Sequence, residues 1–391
     1  VPQPDIHPLP VDHVDTAARR RIGGLKWHLN GGDMLPAWVA EHDLGAPPAV
    51  AERLRELVDG GAFGYHTTGD EVGAAFARWA KTRHGWAPDP DLIVPTANVL
   101  QGIWTCIEAF TDRDAAIVYS TPVYPPFLDA PPTTGRRAVD WPMVRTESGW
   151  RYDLDALKHL LEADPGIGLL LLCHPQNPTG LVFTEDQLVR IVELSEEHDL
   201  LVVSDEIHSD LVHPGSTHIP MLTIPGASSR TVTVTSGVKT FALGGLRCAV
   251  AVCGDERLHA GFSSVPAELR GGPNRMGCEA TIAAWDTGSA WTDGLLALLD
   301  SHRHHLHERL AAELPEVAMF LPQSTFVAWL DMSAHEPGEN PARWLRRLTG
   351  VACGNGPEFG PGGADHVRLT FGTSTELLDE MVDRIVTGLH G

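Results

Sequence analysis

The stretch Leu200-Leu201-Val202-Val203-Ser204-Asp205-Glu206 decides the fold. A short, continuous apolar run that ends on carboxylates reads as a strand buried on both faces, as in a parallel sheet covered by helices. Just upstream, Leu188, Ile191, Val192 and Leu194 recur near helical spacing between Thr184 and His198. Thr184 is a good N-cap there, and Glu185 and Asp186 suit the first turn. Another apolar run, 168–173, precedes that helix. The same kind of run recurs at 91–94, 115–120, 231–235 and 248–253. Strand–helix–strand alternation of this sort predicts an α/β fold with a mostly parallel sheet between helices. From about residue 279 the pattern changes. A long helical stretch with Leu295, Leu296, Leu298, Leu299, Leu306 and Leu310 leads to a strand-like segment at 325–330. The expected division is a large domain over 44–278 and a smaller one made from 1–43 and 279–391.

Composition narrows the function. The chain has 391 residues with 43% hydrophobic and 20% charged side chains, enough to bury a core without staples. Lys and Arg total 29 against 51 Asp and Glu, a formal charge of −22, so a phosphate backbone is repelled and nucleic acid is not an expected partner. No apolar run approaches the roughly 20 residues of a membrane span. The N-terminus is proline-rich and then basic, and it is expected to carry no signal peptide. Six cysteines without a CxxC pair read as buried, reduced thiols of a cytoplasmic protein.

Ligands of such sheets bind at the carboxyl ends of the strands. Asn98, Tyr124, Asn177, Asp205, His208 and Lys239 each follow one of the apolar runs. One sheet edge therefore gathers two amides, a phenol, a carboxylate, an imidazole and a lysine. Asp205 suits a buried carboxylate held opposite a cationic nitrogen, because an unpaired one is costly. Lys239 lies between small residues and Phe241, where desolvation lowers its pKa and favours covalent capture of a carbonyl. Arg247 stands ready for an anion.

Three rival readings are weaker. Ser236-Gly237-Val238-Lys239 matches the S-x-x-K pattern of acyl-transfer enzymes, but the companion motifs are absent. His302, His304, His305 and His307 crowd one helix without H-E-x-x-H or a cysteine pair, so they read as a solvated face and no metal is expected. No G-x-G-x-x-G follows a strand.

Taken together, the motifs resemble the fold type I pyridoxal 5′-phosphate enzymes of the class I/II aminotransferase superfamily. Within it they resemble the cystathionine β-lyase-like C–S lyases of the MalY/PatB type. The resemblance rests on Lys26-Trp27, Leu35-Pro36-Ala37-Trp38-Val39-Ala40-Glu41, Phe63-Gly64-Tyr65 and Thr121-Pro122-Val123-Tyr124-Pro125-Pro126-Phe127 in the first half. It continues in Leu172-Cys173-His174-Pro175-Gln176-Asn177-Pro178-Thr179-Gly180, Ser204-Asp205-Glu206-Ile207-His208-Ser209-Asp210, Lys239-Thr240-Phe241 and Val367-Arg368-Leu369-Thr370-Phe371-Gly372. The motifs keep the family's order and span nearly the whole chain.

The resemblance implies a mostly parallel seven-stranded sheet in the large domain and a smaller α+β domain. It implies that Lys239 binds pyridoxal 5′-phosphate covalently and moves the Cα proton. Asp205 holds the pyridine nitrogen, Asn177 the phenolic oxygen, and Tyr124 stacks on the ring. Asn98, the amides of Val99 and Leu100, Ser236 and Arg247 surround the phosphate, which Tyr65 reaches from the neighbouring subunit of a homodimer. Arg368 binds the substrate carboxylate, with Asn177, Trp38 and Ala40 nearby. His208 stands where ordinary aminotransferases carry tyrosine, which favours the lyase branch. The implied reaction is β-elimination from an L-cysteine S-conjugate to thiol, pyruvate and ammonia. An aminotransferase, or a decarboxylating or deaminating enzyme on such a conjugate in a biosynthetic pathway, is the alternative. The chain departs from the family at Ala97-Asn98-Val99, Val238 and Ala242.

Overall fold

A computed structural model describes residues 9–28, 33–67 and 69–391; the first eight residues of the proline-rich N-terminus lie outside them. Fourteen strands are present among the described residues. They are β1 (Leu35–Ala37), β2 (Ile93–Thr96), β3 (Ala116–Thr121), β4 (Arg137–Pro142), β5 (Val144–Thr146), β6 (Gly149–Arg151) and β7 (Ile167–Cys173). The rest are β8 (Leu201–Asp205), β9 (Thr231–Thr235), β10 (Ala249–Cys253), β11 (Ala318–Met319), β12 (Val327–Asp331), β13 (Val351–Asn355) and β14 (His366–Thr370).

Seven of them form one sheet in the order β2-β10-β9-β8-β7-β3-β4. The pairs from β9 through β8, β7 and β3 to β4 are all parallel, and only β10 runs antiparallel to both its neighbours. The mostly parallel sheet read from the apolar runs is therefore present. Its burial explains those runs. On β7, Leu169, Leu171 and Cys173 enter one hydrophobic cluster, while Leu170 and Leu172 enter another on the opposite face. With both faces covered, every position of the strand favours an apolar side chain, each contributing about 1.5–3 kcal/mol on burial. The helix Glu185–Glu197 starts at Thr184, whose hydroxyl accepts from Gln187 N while Gln187 caps in return.

The second sheet has the order β1-β13-β14-β12-β11. It draws β1 from near the N-terminus and four strands from the last third of the chain. The helix Ser289–Glu313 packs along it, burying Leu295, Leu299, Leu306 and Leu310.

Some expectations need correction. The run at 91–94 is split: Asp91 and Leu92 fall in a 3-10 turn, Pro90–Leu92, and Ile93 and Val94 open β2, which runs on to Thr96. Strand β4 was not expected, because an edge strand with exposed Arg137 and Ala138 carries no apolar run. The histidine-rich helix is not a uniformly solvated face. His302 is buried with Nε2 on Thr375 Oγ1 at 3.0 Å, and His305 contacts Asp379 at 2.6 Å, so two of the four pack against the C-terminal helix Thr375–His390. Among the described residues no cluster of three or more His, Cys, Asp or Glu side chains could hold a metal ion, and no helix is long and apolar enough to cross a membrane. All six cysteines are buried and free.

Candidate active site

The carboxyl ends of β2, β3, β7, β8 and β9, and the start of antiparallel β10, open on a cavity of about 390 Å³. Ala40, Asn98, Val99, Leu100, Tyr124, Asn177, Asp205, His208, Ser236, Lys239 and Arg247 all line it. Sites for small organic ligands run from about 300 to 1,000 Å³.

Lys239 lies in the connection between β9 and β10. A side chain at 237 would be crowded, since a Cβ there would lie 3.0 Å from Phe241 Cδ2 and 3.2 Å from Trp285 Nε1. The next residue, Thr240, is held from two sides. Its hydroxyl donates to Asp210 Oδ2 at 2.9 Å, and its carbonyl lies 3.1 Å from His42 Nε2. Lys239 itself donates from Nζ to the Ala40 carbonyl at 2.7 Å. Burial, and then the nearby Arg368 charge, lower its pKa to about 8. A neutral, nucleophilic amine is thus populated near physiological pH. Ser236 does not partner this lysine: its hydroxyl donates to Cys248 O at 2.5 Å and accepts from Val238 N at 3.2 Å. The hydroxyl–amine pair that acyl transfer would need is not formed.

Asp205 ends β8 and is buried. It accepts one hydrogen bond, from Ile207 N to Oδ1 at 3.0 Å, and forms no ion pair among the described residues. Burial raises its pKa to about 7. A carboxyl lining a cavity in this state has a place for a cationic N–H. Its neighbour Glu206 points away and is satisfied by Ser204, His218 and the Met221 amide.

Asn177 follows β7 in a turn braced by Gln176, whose Oε1 accepts from Thr179 N at 2.8 Å and from Thr179 Oγ1 at 2.6 Å. Gly180 closes that turn with φ +72°, and a Cβ there would come within 2.5 Å of Pro322 Cβ, so a side chain is excluded on both counts. Arg368, on β14 of the other sheet, reaches across. Nη1 donates to Asn177 Oδ1 at 3.0 Å, Nη2 donates to Trp38 O at 2.8 Å, and the guanidinium lies 5.0 Å from the Phe359 ring centroid. Burial lowers its pKa to about 10, still leaving it cationic at neutral pH, and Nε has no partner among the described residues. His208 is buried, and its Nδ1 has no partner among the described residues. Burial, with Lys239 and Arg368 nearby, keeps its pKa well below the usual histidine range, so it is neutral. Tyr124 precedes the helix Pro125–Thr133, and burial raises the pKa of its phenol.

At the other end of the cavity the helix Val99–Phe110 begins. Asn98 caps it through Oδ1 on Gln101 N at 2.9 Å, so this side chain serves the helix. The amides of Val99 and Leu100 lie in the first turn, where no acceptor exists within the helix, and Arg247 lines the same cavity. That pairing of helix terminus and guanidinium suits a phosphate. Of the other expected residues, Trp38 contributes its carbonyl, and Tyr65 is fully exposed and does not line this chain's cavity. Trp104, one turn into the same helix, lines the cavity and was not expected. It reads in sequence as a core aromatic of an apolar helix. The Asp210–Thr240 and His42–Thr240 contacts were also not expected; Asp210 in the 205–210 segment carried the available signal.

Residues 39–385 match the family model for aminotransferase class I and II. Cystathionine beta-lyase PatB of Bacillus subtilis (strain 168) is 33% identical, over 94% of this chain and 98% of its own. Among solved structures, cystalysin from Treponema denticola, which contains a pyridoxal 5′-phosphate cofactor, aligns with a TM-score of 0.91 and 25% identity over 96% and 98% of the two chains. The PLP-bound C–S lyase from Staphylococcus hominis aligns with 0.89 and 26% over 95% and 97%.

Proposed function

The chain belongs to the aminotransferase class I and II family, and from that membership we propose that it is a pyridoxal 5′-phosphate-dependent carbon–sulfur lyase acting on an S-substituted L-cysteine. The overall reaction takes the conjugate and water to a thiol, pyruvate and ammonia. The observation that carries this reading is one cavity that joins a depressed lysine, Lys239, to a buried carboxyl without an ion pair among the described residues, Asp205, with the Arg368–Asn177 pair beside them.

The residues present fit the cofactor. Asp205 would face the ring nitrogen and hold a proton there. Asn177 would reach the phenolic oxygen, and Tyr124 would cover a ring face. The amides of Val99 and Leu100 with Arg247 would take the phosphate, with Ser236 and Asn98 in the same wall; their hydroxyl and amide oxygen are already engaged, so the backbone and Arg247 dominate. His208, with an unpartnered buried Nδ1 in the wall, has hydrogen-bonding capacity left for it. When bound, the cofactor supplies an electron sink that stabilises negative charge at the substrate Cα.

The protein's own groups orient the substrate and move its proton. Arg368 forks onto the α-carboxylate and, with Asn177, fixes its orientation. Trp38 and Ala40 border that position through their carbonyls. A carboxylate held this way leaves the Cα–H bond beside Lys239 Nζ. Lys239 would bind the cofactor covalently and later accept the Cα proton, a task suited to a pKa near 8. A thioether at Cβ is then the leaving group.

The proposed working form is a homodimer in which Tyr65 reaches the phosphate of the neighbouring subunit. Tyr65 and Phe63 are both exposed, two aromatics side by side on a loop. The proposed domain division is 44–278 against 1–43 with 279–391, and six free thiols support a cytoplasmic setting. Incubation with S-substituted cysteines in the absence of any 2-oxo acid, scoring thiol and pyruvate, tests the reading.

A further inference from the structure

A second cavity, also of about 390 Å³, lies where β1 and β13 end, under the start of the helix Pro341–Thr349. Its wall includes Trp38, Asn340, Arg343, Arg346, Gly354 and Glu358. Two of these touch Arg368. The Trp38 carbonyl accepts from Arg368 Nη2 at 2.8 Å. Gly354 pairs with Arg368 across the sheet, and a Cβ at 354 would lie 3.7 Å from Arg368 Nε. This groove therefore abuts the guanidinium assigned to the substrate α-carboxylate.

The groove is cationic in a chain of charge −22. Arg343 and Arg346 are exposed and form no ion pair among the described residues, although most of the other arginines do. They sit one turn apart, so both can face the same space. The Asn340 side chain caps this helix start on Arg343 N at 2.8 Å, and the positive end of the helix adds to the field. Arg368 Nε, buried beside Gly354, has no acceptor among the described residues. Glu358 offsets one of the two arginine charges. A net charge near +1 matches a carboxylate better than a phosphate dianion.

We propose that this groove is a subsite for the sulfur-side substituent and that Arg343 and Arg346 select substrates ending in a carboxylate. The proposal rests on the lyase reading and narrows it to S-(carboxyalkyl)-type cysteines, with Trp38 and Gly354 forming the boundary that the groove shares with Arg368.

The test uses the cofactor-loaded enzyme and two substrate series of matched length, S-(carboxyalkyl)-L-cysteines and S-alkyl-L-cysteines. At the best length the carboxylate is expected to raise kcat/KM by about tenfold or more, the scale of one charge-assisted contact. In Arg343→Gln/Arg346→Gln that ratio should fall to about one, while Arg347→Gln, outside the groove, should keep it. Calorimetry with 2-aminoadipate against norleucine, which carry no sulfur, should give the same preference in affinity. A ratio near one in the unaltered enzyme, or one that survives the double substitution, overturns the subsite and leaves the lyase reading standing. A carboxylate preference in calorimetry without thiol release from any conjugate overturns the lyase reading and leaves the subsite.

Discussion

Arg368 Nη1 donates to Asn177 Oδ1 at 3.0 Å, joining two residues 191 positions apart, one in the turn after β7 and the other on β14 of the second sheet. The contact sets where a carboxylate fork stands relative to the sheet edge that carries Asp205 and Lys239. Removing Asn177 frees one arm of the guanidinium and one proposed cofactor contact. Asn177→Ala is expected to lose about 2 kcal/mol of transition-state stabilisation, roughly thirtyfold in kcat/KM. Steady-state kinetics checks this, and a change under threefold would separate the pair from turnover.

Lys239 offers a test by pH. Burial first, then the Arg368 charge, brings its pKa to about 8 from an ordinary 10.5. In the cofactor-free protein, labelling of Lys239 by an amine-reactive reagent should reach half its limiting rate near pH 8, since only the neutral amine reacts. Arg368→Gln removes a positive neighbour, so the midpoint should move up. A downward or absent movement contradicts the proximity of the two charges.

Asp205 tests the proposed ring-nitrogen partner through stability. Its pKa is raised to about 7 from 3.8 by burial, so between those values the folded protein holds a proton that the unfolded chain has released. Its contribution to stability therefore falls as pH rises from about 4 to about 7. Without cofactor, the stability of the unaltered protein relative to Asp205→Asn should decline across that window. With cofactor bound, a cationic nitrogen opposite Asp205 lowers its pKa and should flatten the decline. Denaturant titrations at several pH values check both. Asp205→Asn should also lose about 3 kcal/mol or more in turnover, on the order of a hundredfold.

Tyr65 tests the shared site. Lys239→Ala and Tyr65→Ala proteins, each weak or inactive alone, should recover activity when mixed under conditions of subunit exchange. Random pairing of equal amounts gives about a quarter of the sites both intact residues. A fully active monomer by sedimentation contradicts the composite site.

The sheet was legible because burial on both faces leaves a local mark. Leu169–Leu172 and Leu200–Val203 carry it, and Thr184 with Gln187 announces a helix start. Strand β4 left no such mark, because one edge of it meets solvent. The three-residue β1 is too short to carry a period, and its partner β13 lies more than 300 residues away. The side chains gathered at the sheet edge were legible one at a time, each following an apolar run. Their mutual support was not. The Ala40 carbonyl on Lys239, the His42 ring on Thr240 and the Trp38 carbonyl on Arg368 all join segments 198–330 positions apart. Backbone carbonyls carry no residue-type signal, so such contacts emerge only once the chain is folded.

Product analysis tests the central claim most directly. The loaded enzyme is incubated with an S-substituted L-cysteine and no 2-oxo acid, and thiol, pyruvate and ammonia are quantified. One equivalent of each per substrate consumed, over many turnovers, is the predicted result. Strict dependence on an added 2-oxo acid with amino transfer to it, or carbon dioxide release with the thioether intact, would contradict it.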